Sequence, residues 1–148
     1  MARYYLRATS ENSVLPNILF LCVANSARSQ MAEALARKMA PPGSSFYSAG
    51  SEPGTLHPLA VAVLAEQGID ISHHHAKGLD AVPLTAIDTI VTLCAKEVCP
   101  VVPANVRRLH WPLPDPARVS GSDAARLAAF RATRDRLAEL LPALWSAK

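Results

Sequence analysis

A cysteine and an arginine lie six positions apart in this chain, where a short apolar run gives way to a helical pattern. Cys22 lies near the end of the run 18–23, and Arg28 lies at the start of the helical segment. A thiolate is a strong nucleophile, and a guanidinium can hydrogen-bond two oxygens of one anion. The spacing therefore predicts nucleophilic chemistry on a bound oxyanion. The alternative is an inert buried thiol near a surface arginine.

The residues between this pair are suited to binding an anion. Asn25 and Ser26 favour a turn in which successive backbone N–H groups point inward, and the following helix adds the positive end of its dipole. The same field favours the thiolate form of Cys22, to which Ser29 can donate its hydroxyl. The predicted anion-binding residues are Val23, Ala24, Asn25, Ser26, Ala27, Arg28 and Ser29.

The surrounding pattern predicts the elements that position this loop. The apolar run 18–23 predicts a buried parallel strand, and the helical spacing of Met31, Leu35 and Met39 predicts a helix after it. Predicted strands cover 17–23, 45–49, 88–94 and 107–111, and predicted helices cover 29–40, 58–67 and a last segment capped by Ser122 or Ser120. Strands separated by such helices favour right-handed crossovers. We therefore predict an α/β fold: one three-layer domain with a central four-stranded parallel sheet flanked by helices.

Two further reactive side chains follow strands of this sheet. Cys94 ends the third predicted strand, and Asp115 lies between Pro114 and Pro116 just after the fourth. Carboxyl ends of parallel strands form the ligand-binding edge, so we expect both residues near Cys22. Prolines restrict the backbone around the carboxyl group. Asp115 is either a general acid facing the anion or a turn residue.

Composition narrows the class of protein. The chain has 148 residues, half of them apolar, a length and composition that suit one domain. Its net charge of +3 is too small to indicate nucleic-acid binding. No apolar stretch is long enough to span a membrane, and we expect no membrane partner. Three cysteines without a secretory signal favour reduced, reactive thiols and a cytoplasmic location.

Several motifs together resemble one family. They are the segments 22–34, Tyr47-Ser48-Ala49-Gly50, His57-Pro58-Leu59-Ala60, Gly68-Ile69-Asp70-Ile71-Ser72 and Trp111-Pro112-Leu113-Pro114-Asp115-Pro116. They are similar to the low-molecular-weight tyrosine phosphatase superfamily, and specifically to its arsenate reductases. The resemblance covers residues 17–148. Residues 1–16 lie outside it and are predicted to be an N-terminal extension, either disordered or on the surface.

The resemblance implies a chemical role for each candidate residue. Cys22 would attack arsenate, Asp115 would act as general acid, and a thiol relay through Cys94 and Cys99 would release arsenite. The protein would act in arsenic detoxification as a monomer, without a bound cofactor, and with residual phosphatase activity. The external reductant would be thioredoxin, with glutaredoxin or a low-molecular-weight thiol as open alternatives.

One departure concerns the cysteine pair. Four residues separate Cys94 from Cys99, whereas thioredoxin-coupled members have six. Residues five apart in a helix are about 7.5 Å apart along its axis, which is outside disulfide range, so bridging requires an irregular segment. Val98 and Pro100 favour such a segment. The alternative is that Cys94 is a core thiol and Cys99 incidental.

Two other functions stay open at this point. Tyrosine phosphatases of the superfamily place aromatic residues after the Asp-Pro pair, whereas Ala117-Arg118-Val119 follows here, which removes the stacking surface for a phosphotyrosine ring. A phosphatase acting on phosphate monoesters is nevertheless the first alternative. The second is a non-catalytic regulator that binds an oxyanion.

We predict no metal site. The run His73-His74-His75 lacks a recognised ligand spacing and is read as a loop. Some similar arsenate reductases bind potassium through four side chains, of which Asn25, Glu33 and Ser48 match here while Lys77 takes the place of an aspartate. The Lys77 ammonium would then replace the ion, and we predict no potassium dependence.

Overall fold

The computed structural model describes residues 16–95 and 105–146, where four strands form one sheet. The strands are β1 (Asn17–Cys22), β2 (Ser45–Gly50), β3 (Thr89–Thr92) and β4 (Arg107–His110). Their order is β2-β1-β3-β4, and every neighbouring pair is parallel. The predicted four-stranded parallel α/β fold is confirmed, with each strand end within two residues of its predicted position.

Three helices cover one face of the sheet. They are α1 (Arg28–Met39), α2 (Pro58–Ala65) and α3 (Asp123–Leu140), followed by a 3₁₀ helix at Leu141–Leu144. Their apolar side chains enclose Ile18 and Phe20 of β1 in the larger core. Burial of these aromatic and aliphatic side chains is the main force that fixes α1 against the sheet.

The opposite face of the sheet is covered by a different kind of segment. Leu19 and Leu21 of β1 pack there with Val82 and Ile87, which follow two short 3₁₀ helices at Leu79–Ala81 and Leu84–Ala86. Successive strand residues point to opposite faces, so β1 is buried on both sides. This burial confirms the prediction from its continuous apolar run.

Capping residues mark the helix ends, and α2 ends at Ala65, two residues before its predicted end. Pro58 occupies the first turn of α2, and the His57 Nδ1 atom accepts a hydrogen bond from the Leu59 N–H at 3.1 Å. Gly68 follows α2 with φ of 77°, a conformation that suits glycine at a helix end. Ser122 caps α3 by accepting a hydrogen bond from the Ala125 N–H at 3.1 Å.

Some predictions fall outside the described residues. Cys99 lies there, as do Val98 and Pro100, so the geometry of the cysteine pair stays a prediction. The same holds for residues 1–15 of the predicted extension. Among the helices of residues 16–95 and 105–146, none is long and apolar enough to cross a membrane.

Candidate active site

The segment between β1 and α1 is held in place by hydrogen bonds to its carbonyl groups. The carbonyls of Val23, Ala24 and Ser26 accept hydrogen bonds, each at 2.9 Å, from the next segment of the chain; the donors are the N–H groups of Glu52, Gly54 and His57. In a planar trans peptide the following N–H points away from the carbonyl. The N–H groups of Ala24, Asn25 and Ala27 are therefore directed away from that segment. The Asn25 N–H lies 3.2 Å from the Cys22 sulfur.

Gly50 supports this loop from the neighbouring strand. It pairs with Cys22 across β1 and β2. A Cβ atom at position 50 would collide with the Val23 carbonyl oxygen and would lie 2.8 Å from the Asn25 nitrogen. The loop can rest on the strand only because residue 50 has no side chain. The sequence shows Gly50 within a motif but does not reveal this contact.

The Cys22 sulfur has a second hydrogen-bond partner. Its distance to the Ser29 Oγ atom is 2.9 Å, and the Asn25 Nδ2 atom donates to the same hydroxyl oxygen at 2.7 Å. Because that oxygen already accepts from Asn25, its own hydrogen is available to the sulfur. Donation from Ser29 and from the Asn25 N–H stabilises a thiolate. The predicted contact between Ser29 and Cys22 is present.

Asn25 is the centre of this buried network. It has φ of 52°, a left-handed conformation that asparagine tolerates better than most residues. Its Oδ1 atom accepts from the Gln30 Nε2 atom and from the Lys77 N–H, both at 3.0 Å. Gln30 was not singled out from the sequence, because nothing in the pattern distinguishes it from a solvated residue of a helix.

The histidine run contacts the same network. Gln30 Nε2 donates to the His75 carbonyl at 2.8 Å, and the His74 Nδ1 atom lies 3.1 Å from Gln30 Oε1. Burial lowers the pKa of His74. Within the described ranges, no three His, Cys, Asp or Glu side chains come together as metal ligands. The run holds the loop through hydrogen bonds, and the absence of a metal site stays a prediction.

The Lys77 ammonium lies among the residues that match the potassium ligands. Its Nζ atom is 3.0 Å from Ser48 Oγ and 3.5 Å from Glu33 Oε1. Ser48 donates to the same carboxylate oxygen at 2.5 Å, and Arg37 Nη2 lies 2.7 Å from Glu33 Oε2. Two cations therefore neutralise the buried Glu33 carboxylate.

Arg28 is the first residue of α1 and is only 4% exposed. Its Nη1 atom donates to the carbonyls of Leu113 at 2.9 Å and Leu93 at 3.4 Å, so the guanidinium connects the ends of β3 and β4 to the loop. Ala27 provides no side-chain cap, and the first turn of α1 contains no acidic residue. The positive end of this helix is thus left for a ligand.

Asp115 makes the turn contact that the sequence suggested, while its second carboxylate oxygen lies at the cavity. Its Oδ1 atom accepts from the Ala117 N–H at 3.0 Å and caps the 3₁₀ helix Pro116–Arg118. Its Oδ2 atom lies 3.7 Å from Arg28 Nη2 and 3.8 Å from Arg118 Nε. The turn contact fixes the carboxyl group, and the other oxygen faces two guanidinium groups.

These groups line one small cavity of about 140 Å³. Its lining residues are Cys22, Val23, Ala24, Ser26, Ala27, Arg28, Asp115 and Arg118. Three predicted catalytic residues therefore meet, and no aromatic residue of the described chain lines the cavity. Sites for drug-sized ligands are larger, roughly 300–1,000 Å³, so this cavity suits a small anion. Arg118 was noted in the sequence only as a non-aromatic residue.

Two other residues lie beside the cavity. Cys94 is 1% exposed, follows Leu93 after the end of β3, and is not among the described residues that line the cavity. His57, which the sequence shows only within a motif, caps α2, and its N–H donates to the Ser26 carbonyl oxygen. Burial and the nearby Arg126 lower the pKa of His57, against an opposing effect of Asp115.

Comparison with known proteins identifies relatives across nearly the whole described chain. The family model for low molecular weight phosphotyrosine protein phosphatase matches residues 17–147. An arsenate reductase of Halalkalibacterium halodurans is 43% identical over 122 residues, which are 81% of this chain and 88% of that protein.

Solved structures agree with this result. An arsenate reductase in the phosphate-binding state has a TM-score of 0.74 and 30% identity, covering 88% of this chain and 96% of that chain. A thioredoxin-dependent arsenate reductase of Corynebacterium glutamicum has a TM-score of 0.64 and 33% identity, covering 89% of this chain and 63% of that one.

Proposed function

The chain belongs to the low molecular weight phosphotyrosine protein phosphatase family, and on this basis we propose that it is an enzyme that reduces arsenate to arsenite. The observation that carries the proposal is the meeting of Cys22, Arg28 and Asp115 at one cavity of about 140 Å³. The volume of that cavity suits a tetrahedral oxyanion, and none of its described lining residues is an aromatic one that could stack on a phosphotyrosine ring. Reduction of arsenate would serve arsenic detoxification.

The first step is attack on the bound anion. Arsenate lies against the inward N–H groups of the loop and the Arg28 guanidinium, which balance its negative charge. The Cys22 thiolate, supported by Ser29 Oγ at 2.9 Å and the Asn25 N–H at 3.2 Å, attacks arsenic. A sulfur–arsenic bond forms, and one arsenic–oxygen bond breaks.

Asp115 supplies the proton for the departing oxygen. Its Oδ1 atom is fixed by the Ala117 N–H, while Oδ2 faces the cavity beside Arg28. A carboxyl group in this position can protonate the leaving oxygen so that it departs as water.

Reduction of arsenic requires a second sulfur. The Cys94 thiol attacks the Cys22 sulfur of the adduct; a disulfide forms, the sulfur–arsenic bond breaks, and its electron pair leaves with arsenic as arsenite. Cys99 then attacks Cys94, frees Cys22 and leaves a Cys94–Cys99 disulfide. Cys94 follows β3 in backbone that is neither helix nor strand, which supports an irregular segment at this point.

An external dithiol completes the cycle. Thioredoxin is the proposed reductant, supported by the similarity to the thioredoxin-dependent enzyme of C. glutamicum; glutaredoxin or a low-molecular-weight thiol is the alternative. Such reductants keep thiols reduced in the cytoplasm, where we place the protein. We also propose that the protein is active as a monomer.

The test compares arsenite release by the wild type and the Cys22→Ser, Cys94→Ser and Cys99→Ser variants. Each assay contains either thioredoxin with its reductase or glutathione with glutaredoxin. We expect Cys22→Ser and Cys94→Ser to release no arsenite with either reductant. Cys99→Ser should lose arsenite release with thioredoxin but keep it with glutathione and glutaredoxin. Arsenite production by Cys94→Ser would contradict the relay.

The same variants separate the rival functions. Hydrolysis of an aryl phosphate should survive in Cys94→Ser but not in Cys22→Ser, because ester hydrolysis needs only the loop and Asp115. High aryl phosphate turnover without arsenite release by the wild type would identify a phosphatase. Stoichiometric arsenate binding without reductant consumption would identify a regulator.

A further inference from the structure

Two guanidinium groups line the cavity, and their surroundings differ sharply. Arg28 is 4% exposed and donates to the Leu113 and Leu93 carbonyls, so it is fixed at the base of the loop. The Arg118 side chain is 81% exposed, although its backbone belongs to the 3₁₀ helix that Asp115 caps. The Arg28 guanidinium is fixed by hydrogen bonds, whereas the Arg118 guanidinium is exposed and lies 3.8 Å from Asp115 Oδ2.

The contact between Arg118 and Asp115 is weak. The Arg118 Nε atom lies 3.8 Å from Asp115 Oδ2, which is also 3.7 Å from Arg28 Nη2. An exposed ion pair at such a distance contributes little, so a bound anion can compete for the guanidinium. Because the Arg118 N–H donates to the Asp115 carbonyl oxygen at 3.1 Å, the backbone of Arg118 is fixed beside the cavity, within reach of a bound anion for its side chain.

We propose that Arg118 determines specificity for inorganic oxyanions by binding the oxygen that points out of the cavity. An inorganic arsenate or phosphate ion presents a charged or hydroxylic oxygen there, which a guanidinium binds well. A phosphate ester presents a carbon-bearing oxygen at the same place. Arg118 therefore favours the inorganic anion over an aryl ester. That arsenate is the inorganic anion concerned rests on the function proposed above.

Binding of two probes to a Cys22→Ser background tests this inference without any turnover. Inorganic phosphate and phenyl phosphate are each titrated calorimetrically into four proteins. These are the Cys22→Ser variant and the three double variants that add Arg118→Ala, Arg118→Lys or Arg136→Ala to it. Arg136 is an exposed arginine paired with Glu139 at 2.9 Å and serves as the matched control. We expect Arg118→Ala to weaken phosphate binding about 10-fold, because one charge-assisted hydrogen bond is lost. Phenyl phosphate binding should weaken less than about 2-fold.

The remaining outcomes also decide the question. Arg118→Lys should recover most of the phosphate affinity, and Arg136→Ala should bind both probes like the background. In the otherwise native enzyme, Arg118→Ala should raise the KM for arsenate about 10-fold with kcat within about 2-fold. Equal weakening of both probes would indicate a general charge effect and overturn the inference, as would no weakening. Failure of the proposed reductase function would appear instead as absent arsenite release by the wild type.

Discussion

Two polar clusters in this molecule have similar hydrogen-bond distances but opposite surroundings. The first is the loop network of Cys22, Asn25, Ser29 and Gln30, whose four side chains are all buried. The second is the helix cluster, in which Glu66 at the end of α2 binds Arg131 and Arg134 of α3. Three contacts of 2.6 to 3.1 Å join Arg131 to Glu66, and these side chains are 46% and 36% exposed, whereas Arg134 is 10% exposed.

The difference shows what each cluster does. In a buried network every unpaired polar group is costly, so its members have one arrangement and can fix the position of a reactive sulfur. Exposed ion pairs are screened by water and tolerate small movements. Changes in the loop network are therefore expected to reduce activity, whereas changes in the helix cluster reduce stability alone.

The largest effect on the loop side is expected for Gly50→Ala. The added methyl group would collide with the Val23 carbonyl oxygen and crowd the Asn25 nitrogen, so the loop must move. A displacement of about 1 Å at a reacting centre costs on the order of 100-fold in rate. We expect arsenate reduction and aryl phosphate hydrolysis to fall together by about that factor.

Gly54→Ala is the matched control for this change. Its new Cβ atom would meet the Ala24 Cβ atom at 3.7 Å, an ordinary van der Waals distance. Steady-state rates for Gly54→Ala should stay within about 2-fold of wild type. Full activity in Gly50→Ala would show that the loop is less rigid than its buried network indicates.

A smaller loss of activity is expected for Asn25→Ala. The change removes hydrogen bonds to Ser29, Gln30 and the Lys77 N–H and leaves a Cβ residue at φ of 52°. Asn25→Gly removes the same bonds but relieves the conformational cost of roughly 1–2 kcal/mol. We expect kcat to fall about 10- to 100-fold in both variants, with a lower Tm for the alanine variant.

Thermal unfolding measured beside kcat separates the two contributions of Asn25. If the glycine variant recovers kcat as well as Tm, the side-chain hydrogen bonds are not needed to orient Ser29. Equal Tm values for the two variants would instead contradict the conformational argument.

The sequence was sufficient to predict the sheet, the helices to within two residues and every cavity residue except Arg118. These follow from local patterns: an apolar run before Cys22, a proline at position 58, and an aspartate between two prolines. Gly50, Gln30 and Arg118 were missed because their importance depends on contacts across the fold. Gln30, for example, meets the His75 carbonyl 45 positions away. Local periodicity carries no signal for such a pairing.

The helix cluster is expected to respond to pH through stability and not through activity. Hydrogen bonds from Arg131, and then from Arg134, lower the pKa of Glu66 from 4.5 to about 2. A carboxylate with a lowered pKa stabilises the folded state fully above its unfolded pKa. This contribution is lost as pH falls from about 4.5 to about 2. Glu66→Gln should thus lower Tm by a few degrees at pH 7, with little difference from wild type near pH 2.

Glu139→Gln provides the control, because Glu139 has a single exposed contact with Arg136 at 2.9 Å. Its Tm should change less than that of Glu66→Gln when both are followed by circular dichroism across the pH range. Arsenate reduction at pH 7 should be unchanged in both variants. A loss of activity in Glu66→Gln would mean that the helix cluster also positions the loop, and the distinction between the clusters would fail.

The smallest expected effect concerns potassium. The Lys77 Nζ atom already lies 3.0 Å from Ser48 Oγ and 3.5 Å from Glu33 Oε1, and Arg37 binds the other carboxylate oxygen. A cation that is covalently part of the chain cannot exchange with solvent, so its neighbours gain nothing from a dissolved ion. Potassium and sodium chloride at equal ionic strength should give superimposable Tm values and rates.

The Lys77→Met variant tests the contribution of the ammonium group itself. The variant keeps most of the side-chain length but removes the ammonium, leaving Arg37 to neutralise the buried Glu33 carboxylate. We expect a lower Tm, because a buried charge that loses a partner is costly. The Lys77 N–H also donates to Asn25 Oδ1, and this backbone contact survives the substitution. Activity should therefore fall less than in Asn25→Ala. A wild-type enzyme that responds to potassium but not to sodium would show that the Lys77 ammonium does not occupy the cation's place.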